Sequence, residues 1–201
     1  AFEKALEAGH YTEVRKLIDY ESWADWFIIS EFAKNVDAYR ASCFFVYNGD
    51  KIEARPLWDQ ELSFNNTATT VGDGKGCSNT SGLLIQNSGV YSDAFPAPFW
   101  FIGHTDKDKS STITGGLLND PCFVTMVKNR YKDHLNNALS NGQLTGKISE
   151  YQTELTDAAK NRETAAWRPS SGEITACTGG GTGYTNISES TSIDTMTDWI
   201  D

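Results

Sequence analysis

The segment from Trp23 to Ala33 constrains the fold more than any other, because its apolar residues surround a helix on nearly every side. They are Trp23, Ala24, Trp26, Phe27, Ile28, Ile29, Phe32 and Ala33. A helix of this kind lies inside a core rather than on its surface. Asp19 is placed to cap it, and we expect it to end at Lys34-Asn35. Other elements must therefore wrap around this helix.

Shorter elements flank the buried helix on both sides. Residues 1–8 predict an amphipathic helix, and Thr12 is placed to cap a second short one. Further on, Cys43–Tyr47 and Lys51–Trp58 have the composition of two strands, and Asn48-Gly49-Asp50 between them is a turn signal. The sequence therefore predicts an antiparallel hairpin packed against the buried helix.

The second half of the chain alternates between loops and helices. Residues 65–120 are dense in Gly, Ser, Thr and Asn, which predicts a long irregular stretch. Asp120-Pro121 then has the pattern of a helix start, an N-cap followed by proline at the first helical position. We expect helices over Asp120–Leu139 and Ile148–Trp167 to cover the hairpin and the buried helix from the other side. The prediction is one α+β domain over 1–201, mainly helical, with a small hairpin and long loops.

Charge limits the partners of this chain. It has 17 Lys+Arg against 27 Asp+Glu and a formal net charge of −10. Nucleic-acid binding needs a basic surface for the phosphates, so an acidic chain argues against it. No apolar run in the sequence approaches the roughly 18 residues that a membrane span needs.

The four cysteines leave the redox state open. None of them has the CxxC spacing of a zinc site. Two disulfides are possible, with three pairings among Cys43, Cys77, Cys122 and Cys177. Cys43 and Cys122 flank apolar residues and equally suit buried free thiols. The other two lie in polar loops, which favours an oxidising compartment outside the cytoplasm.

Two acidic residues bracket the predicted hairpin. Asp37 follows the buried helix in a polar segment, and Asp59 ends the returning strand. Because a hairpin brings the chain back, both carboxylates are expected at one edge of the same small sheet. One of two acids so placed holds a divalent cation, and the other orients or deprotonates a hydroxyl. Spacing alone is better explained by two residues that cap a turn and a loop.

The residues around these acids resemble the spore-coat CotH kinase-like family. The resemblance rests on the Glu21–Phe32 helix, Lys34-Asn35-Val36-Asp37-Ala38-Tyr39-Arg40, the strand through Tyr47, Pro56–Phe64, Leu117–Pro121 with Phe123, Arg130 and Tyr131, and Ile193–Ile200. It covers most of the chain outside the loops at 65–95 and 168–186. It implies an atypical kinase-like fold, of which this chain would be the C-terminal lobe.

The resemblance also implies a role for each site residue. Asp37 matches the catalytic-loop aspartate, which orients the substrate hydroxyl or accepts its proton. Asp59 matches the aspartate that holds Mg²⁺ or Mn²⁺. Asn35, Arg40 and Trp58 are implied to lie near the site. ATP would be the phosphate donor and a protein hydroxyl the acceptor.

The chain departs from the kinase pattern in two places. A kinase catalytic loop carries a metal-binding Asn five residues after its Asp, and here that position is Ser42, a weaker and neutral ligand. The residues before Asn35 are also too few for the lobe that grips ATP with a Gly-rich loop, a lysine and a glutamate. We therefore expect the isolated chain to have little phosphotransferase activity.

Two further functions stay open on the sequence alone. One is a non-catalytic surface module that binds glycans or proteins through aromatic side chains such as Trp58, Phe99, Trp100 and Trp167. The other is a purely structural domain of a larger surface protein. The missing Asn favours these readings, whereas the two retained acids favour an enzyme. In each case the resemblance implies a secreted or surface-located bacterial protein.

Overall fold

The computed structural model describes residues 1–35, 37–39, 41–60, 63–64, 82–86, 96–103, 115–159 and 161–162. These residues form the following elements in chain order: α1 (Phe2–Glu7), α2 (Tyr11–Leu17), α3 (Tyr20–Ala33), β1 (Phe45–Tyr47), β2 (Ile52–Ala54), α4 (Pro96–Ile102), α5 (Pro121–Asn136) and α6 (Asn141–Glu154). Short 3-10 turns lie at Leu84–Gln86 and Leu117–Asn119. The mixture of helices with one small sheet confirms the α+β prediction.

Helix α3 is the centre of the core, as its apolar composition predicts. Trp23, Trp26 and Phe27 are all buried. Asp19 caps the helix by accepting a hydrogen bond from Ser22 N (2.8 Å). The helix ends at Lys34, whose backbone is left-handed with φ of 52°. Both predicted ends of the buried helix are therefore confirmed.

Aromatic rings from three elements meet on α3. Phe101 of α4 stacks on Trp26, with 5.7 Å between ring centroids and 12° between planes. Phe45 of β1 lies 4.6 Å from Trp23, again between centroids. On α5, Phe123 meets the edge of Tyr20 at 5.3 Å. Rings of this size bury much apolar area each, so a chain with few aliphatic residues still builds a core.

The hairpin packs on the N-terminal half of α3. β1 and β2 pair antiparallel, with Phe45 opposite Ala54 and Tyr47 opposite Ile52. The indole Nε1 of Trp23 donates to Ile52 O (3.0 Å). The side of β2 that faces away from β1 is thus fixed to the buried helix, which confirms the predicted packing.

Three expectations about the elements need correction. The returning strand ends at Ala54 rather than Trp58, because Pro56 has no N–H to donate to the ladder. Thr12 does not cap α2; His10 stands at the N-cap position and makes no side-chain cap bond. Residues 65–120 are not irregular throughout, since α4 forms where Phe99, Trp100 and neighbouring apolar residues follow Pro96.

The second half of the chain covers α3 less completely than predicted. Asp120 caps α5 by accepting from Cys122 N (3.0 Å), and α5 packs on α3. However, α6 starts at Asn141, ends at Glu154 and contains no buried residue. The predicted helix Ile148–Trp167 is therefore interrupted after Glu154, and its part from 163 to Trp167 lies outside the described residues.

Two absences hold for the described part of the chain. None of its helices has the length and apolarity to cross a bilayer. Cys43 and Cys122 are both free thiols there, and Cys122 is exposed rather than buried. Cys77 and Cys177, and the segment Ile193–Ile200, lie outside the described residues.

Candidate active site

The polar segment after α3 folds as a tight turn around Asp37. Ala38 N donates to Asn35 O (3.1 Å), and the backbone N–H groups of Ala41 and Ser42 both donate to Asp37 O (3.0 Å each). Asn35 and Ser42 are buried, while Asp37 is half-buried. The backbone that carries this acid is therefore fixed by hydrogen bonds on both sides.

Asn35 joins the two predicted acids. Its Nδ2 donates to Asp59 O (3.1 Å), and its Oδ1 accepts from Asp37 N (3.0 Å). Ser42 adds a longer contact, with Oγ 3.5 Å from Asp59 Oδ2. Since Asn35 is fully buried, one side chain holds the backbones of both acids against each other. The structure thus brings together Asn35, Asp37, Ser42 and Asp59.

The backbone around these residues adopts unusual conformations. Among the described residues, positive φ at a non-glycine position occurs at Lys34 (52°), Asp59 (60°) and Phe64 (52°). Lys34 directly precedes Asn35, and Phe64 N donates to Ala33 O (2.7 Å) at the end of α3. Asp59 is one of the two acids, and the other two residues lie next to Asn35 or bond to the end of α3. Left-handed backbone costs a side-chain-bearing residue about 1–2 kcal/mol and tends to cluster at functional sites.

The buried carboxylate of Glu31 holds the Asp37 turn through Tyr39. Glu31, in the last turn of α3, accepts hydrogen bonds from Tyr39 OH (2.7 Å) and Ile85 N (2.9 Å), and also from Leu84 N. Its Oε2 lies 3.6 Å from Lys34 Nζ. Burial, with the nearby Glu31 carboxylate, raises the pKa of Tyr39 well above its ordinary value, so the phenol stays protonated and donates.

The network around Glu31 links three pieces of chain. Tyr39 belongs to the Asp37 turn, Leu84-Ile85 to a distant segment, and Lys34 donates to Gly82 O (2.5 Å) in that same segment. Neither Glu31 nor Tyr39 was assigned a role from the sequence. The signal was present, because Glu31 lies in the apolar run at the C-terminal end of α3, and a charge buried there must find partners.

The remaining predicted residues lie at the rim of the site. Trp58 is 56% exposed and meets the edge of Phe44, with ring centroids 5.9 Å apart. Arg40 lies outside the described residues. Two buried side-chain oxygens, Gln60 Oε1 and Ser63 Oγ, have no hydrogen-bond partner among the described residues. Both follow Asp59 closely in sequence.

The donor set at the site suits a cation shared with a phosphate. Within the described ranges, no three His, Cys, Asp or Glu side chains gather into a metal cluster. The Asp59 carboxylate and the Ser42 hydroxyl are hard oxygen donors, and Asp59 is exposed. Mg²⁺ commonly takes one or two protein carboxylates and completes its shell with water and substrate phosphates. The residues present fit that mode of binding rather than a closed metal centre.

Asp37 lies in the turn after the buried helix, and Asp59 follows the hairpin. The chain belongs to the CotH kinase family, since the family model described as CotH kinase protein matches residues 1–201. This confirms the resemblance and extends it over the whole chain. No curated protein and no solved structure matches the chain significantly.

Proposed function

We propose that this chain supplies the acid-bearing half of a phosphotransferase site that passes phosphate from ATP to a protein hydroxyl. Asp37 orients the acceptor hydroxyl and takes up its proton as the oxygen bonds to the γ-phosphorus and ADP leaves. Asp59, with Ser42, holds Mg²⁺ or Mn²⁺, which neutralises phosphate charge when bound. The observation that carries the proposal is Asn35, whose buried amide binds the backbones of both acids.

The proposal also concerns the lobe of the protein that binds ATP. The described residues before Asn35 fold as α1, α2 and α3 around the aromatic core, and none of them forms a Gly-rich loop over a cleft. We place the ATP-gripping lobe outside the described residues, and the low activity expected for the chain alone follows from this. A secreted or surface location, implied by the family resemblance, completes the proposal.

One observation favours a second candidate, a surface module that binds glycans. Trp58 and Phe44 are 56% and 44% exposed and form an edge-to-face pair, which suits stacking on a sugar ring. The other aromatics suggested for this role do not support it equally. Trp100 packs its ring on Phe45 at 4.9 Å within the core cluster, and Trp167 lies outside the described residues.

Thermal unfolding with divalent cations tests the metal site. A cation that binds only the folded state raises the melting temperature by mass action. At a hundredfold excess over Kd, it increases the free energy of unfolding by about 2.7 kcal/mol. We expect Mn²⁺ to raise the melting temperature of the natural chain. Asp59→Asn should remove the shift. Asp50→Asn, an exposed aspartate in the hairpin turn, is the matched control and should keep it.

Two outcomes would contradict the proposal. One is a Mn²⁺ shift of the same size in Asp59→Asn as in the natural chain, which would place the cation elsewhere. The other is no shift in any variant at millimolar Mn²⁺, combined with saturable binding of an oligosaccharide that Trp58→Ala abolishes. That result would favour the glycan-binding module instead.

A further inference from the structure

A cavity lies between α3 and α5, beside the Glu31 network. It has a volume of about 330 Å³, within the range of small-molecule sites. Its walls are mainly apolar and come from Phe27, Ile28, Phe32, Leu83, Val127 and Tyr131. Leu83 and Tyr131 are 40% and 41% exposed, so the cavity opens to solvent between them. An apolar cavity of this size that meets water favours an apolar occupant.

The charges on the cavity wall are not balanced. Glu31, Lys34 and Lys128 all border it. Glu31 and Lys34 lie 3.6 Å apart and compensate each other. Lys128 is exposed, and among the described residues no hydrogen bond or ion pair engages its ammonium. The wall therefore has one uncompensated positive charge, in a chain whose formal net charge is −10.

From this combination we infer a binding site for a small aliphatic carboxylate. The alkyl chain fills the apolar cavity between α3 and α5, and the carboxylate lies at the mouth beside Lys128. A neutral apolar molecule would leave that ammonium without a counter-charge, and a cationic one would be repelled by it. A single carboxylate also matches a single lysine in charge. The cavity lining contains neither Asp37 nor Asp59, and the inference does not depend on the proposed function.

Octanoate and octanol test the inference by isothermal titration on the folded chain. We expect saturable binding of octanoate, with octanol about fivefold weaker, since an exposed ion pair is worth about 1 kcal/mol at most. Lys128→Ala should reduce octanoate affinity to that of octanol and leave octanol unchanged. Lys132→Ala, an exposed lysine on the same helix, is the matched control and should bind octanoate normally.

A blocking variant tests the position of the ligand. Leu83→Trp narrows the mouth at a residue that is already 40% exposed, so the fold should tolerate it, and circular dichroism would verify this. We expect it to abolish binding of both octanoate and octanol. The inference is overturned if octanoate shows no saturable binding, if octylammonium binds as tightly, or if Lys132→Ala weakens binding as much as Lys128→Ala. Unchanged binding in a folded Leu83→Trp would overturn it as well.

Discussion

Two buried carboxylates, Asp120 and Glu31, hold opposite ends of α3 in similar ways. Each accepts a hydrogen bond from a tyrosine hydroxyl, Tyr20 for Asp120 (3.0 Å) and Tyr39 for Glu31 (2.7 Å). Asp120 also accepts from one backbone N–H group and Glu31 from two, and each lies beside a cation. They differ in what they support, because Asp120 starts α5 and Glu31 lies beneath the Asp37 turn. Only one of these networks is therefore next to the candidate site.

The two networks also differ in how far their cations are removed from water. Arg15 binds Asp120 through Nη2 at 2.9 and 3.0 Å, and its side chain stays 40% exposed. The side chain of Lys34 beside Glu31 is only 5% exposed. A cation that reaches solvent is hydrated when its partner is lost, whereas a buried one is not. The Glu31 network, which lies next to the site, is therefore the more costly one to break.

The largest effect is expected from Glu31→Ala. The substitution leaves Tyr39 and two backbone N–H groups buried without their acceptor. It also leaves Lys34 buried without its counter-charge, with only Gly82 O as a partner. The free energy of unfolding should therefore fall by about 3–5 kcal/mol. Urea denaturation measures this loss. Glu31→Gln is the matched control. It keeps an acceptor for Tyr39 but not the charge, so it should lose less than Glu31→Ala.

A smaller loss is expected from Asp120→Ala, about 2–3 kcal/mol, because Tyr20 OH and the N-terminus of α5 lose their acceptor while Arg15 turns to water. The same denaturation experiment measures it. If Asp120→Ala costs as much as Glu31→Ala, exposure of the cation does not decide the difference, and the comparison fails.

Asn35→Ala separates stability from site geometry. The loss should be about 1–2 kcal/mol, since two hydrogen bonds of a buried amide disappear. The Mn²⁺-dependent rise in melting temperature should disappear with them, because Asp37 and Asp59 lose their common anchor. Asp120→Ala should keep that rise despite its greater loss of stability. A rise that persists in Asn35→Ala would show that the two acids do not depend on this bridge.

The sequence predicted those parts of the fold that local patterns encode. The all-round apolar run identified α3, and Asp19 and Asp120-Pro121 marked two helix starts, because capping depends on neighbours within three residues. The hairpin was predicted from its turn signal, Asn48-Gly49-Asp50. Asp37 and Asp59 were predicted together for the same reason. What could not be predicted depends on contacts distant in sequence, such as Glu31 with Ile85 or Asn35 with Asp59, and no local pattern encodes those.

The sequence pattern did not predict that α6 is exposed, for a related reason. Its apolar residues recur at helical spacing, which predicts a face that packs on the core. The structure leaves Tyr151 and Leu155 59% and 53% exposed. Periodicity defines a face but not the partner that covers it, since the partner depends on tertiary packing.

The smallest effect is expected at Asp25, which joins α3 to α5 at the surface. Arg130 donates to it at 2.6 and 2.5 Å, and His134 Nε2 lies 2.9 Å from its Oδ1. Burial raises the pKa of Asp25, but the hydrogen bonds and charges of Arg130 and His134 outweigh that effect and hold it below the ordinary value of 3.8. Glu21 also contacts Arg130 and shares its charge.

A lowered pKa in the folded state gives Asp25 a defined pH dependence. Its contribution is present above the unfolded value of 3.8 and is lost as the pH falls through the lower folded value. Asp25→Asn should therefore cost about 0.3–1 kcal/mol at pH 7, the range of solvent-screened pairs, and progressively less below 3.8. Asp133→Asn, exposed on α5, should cost nothing measurable at either pH. Urea denaturation at both pH values measures the difference, and a loss that does not change with pH would show that Asp25 acts through packing rather than charge.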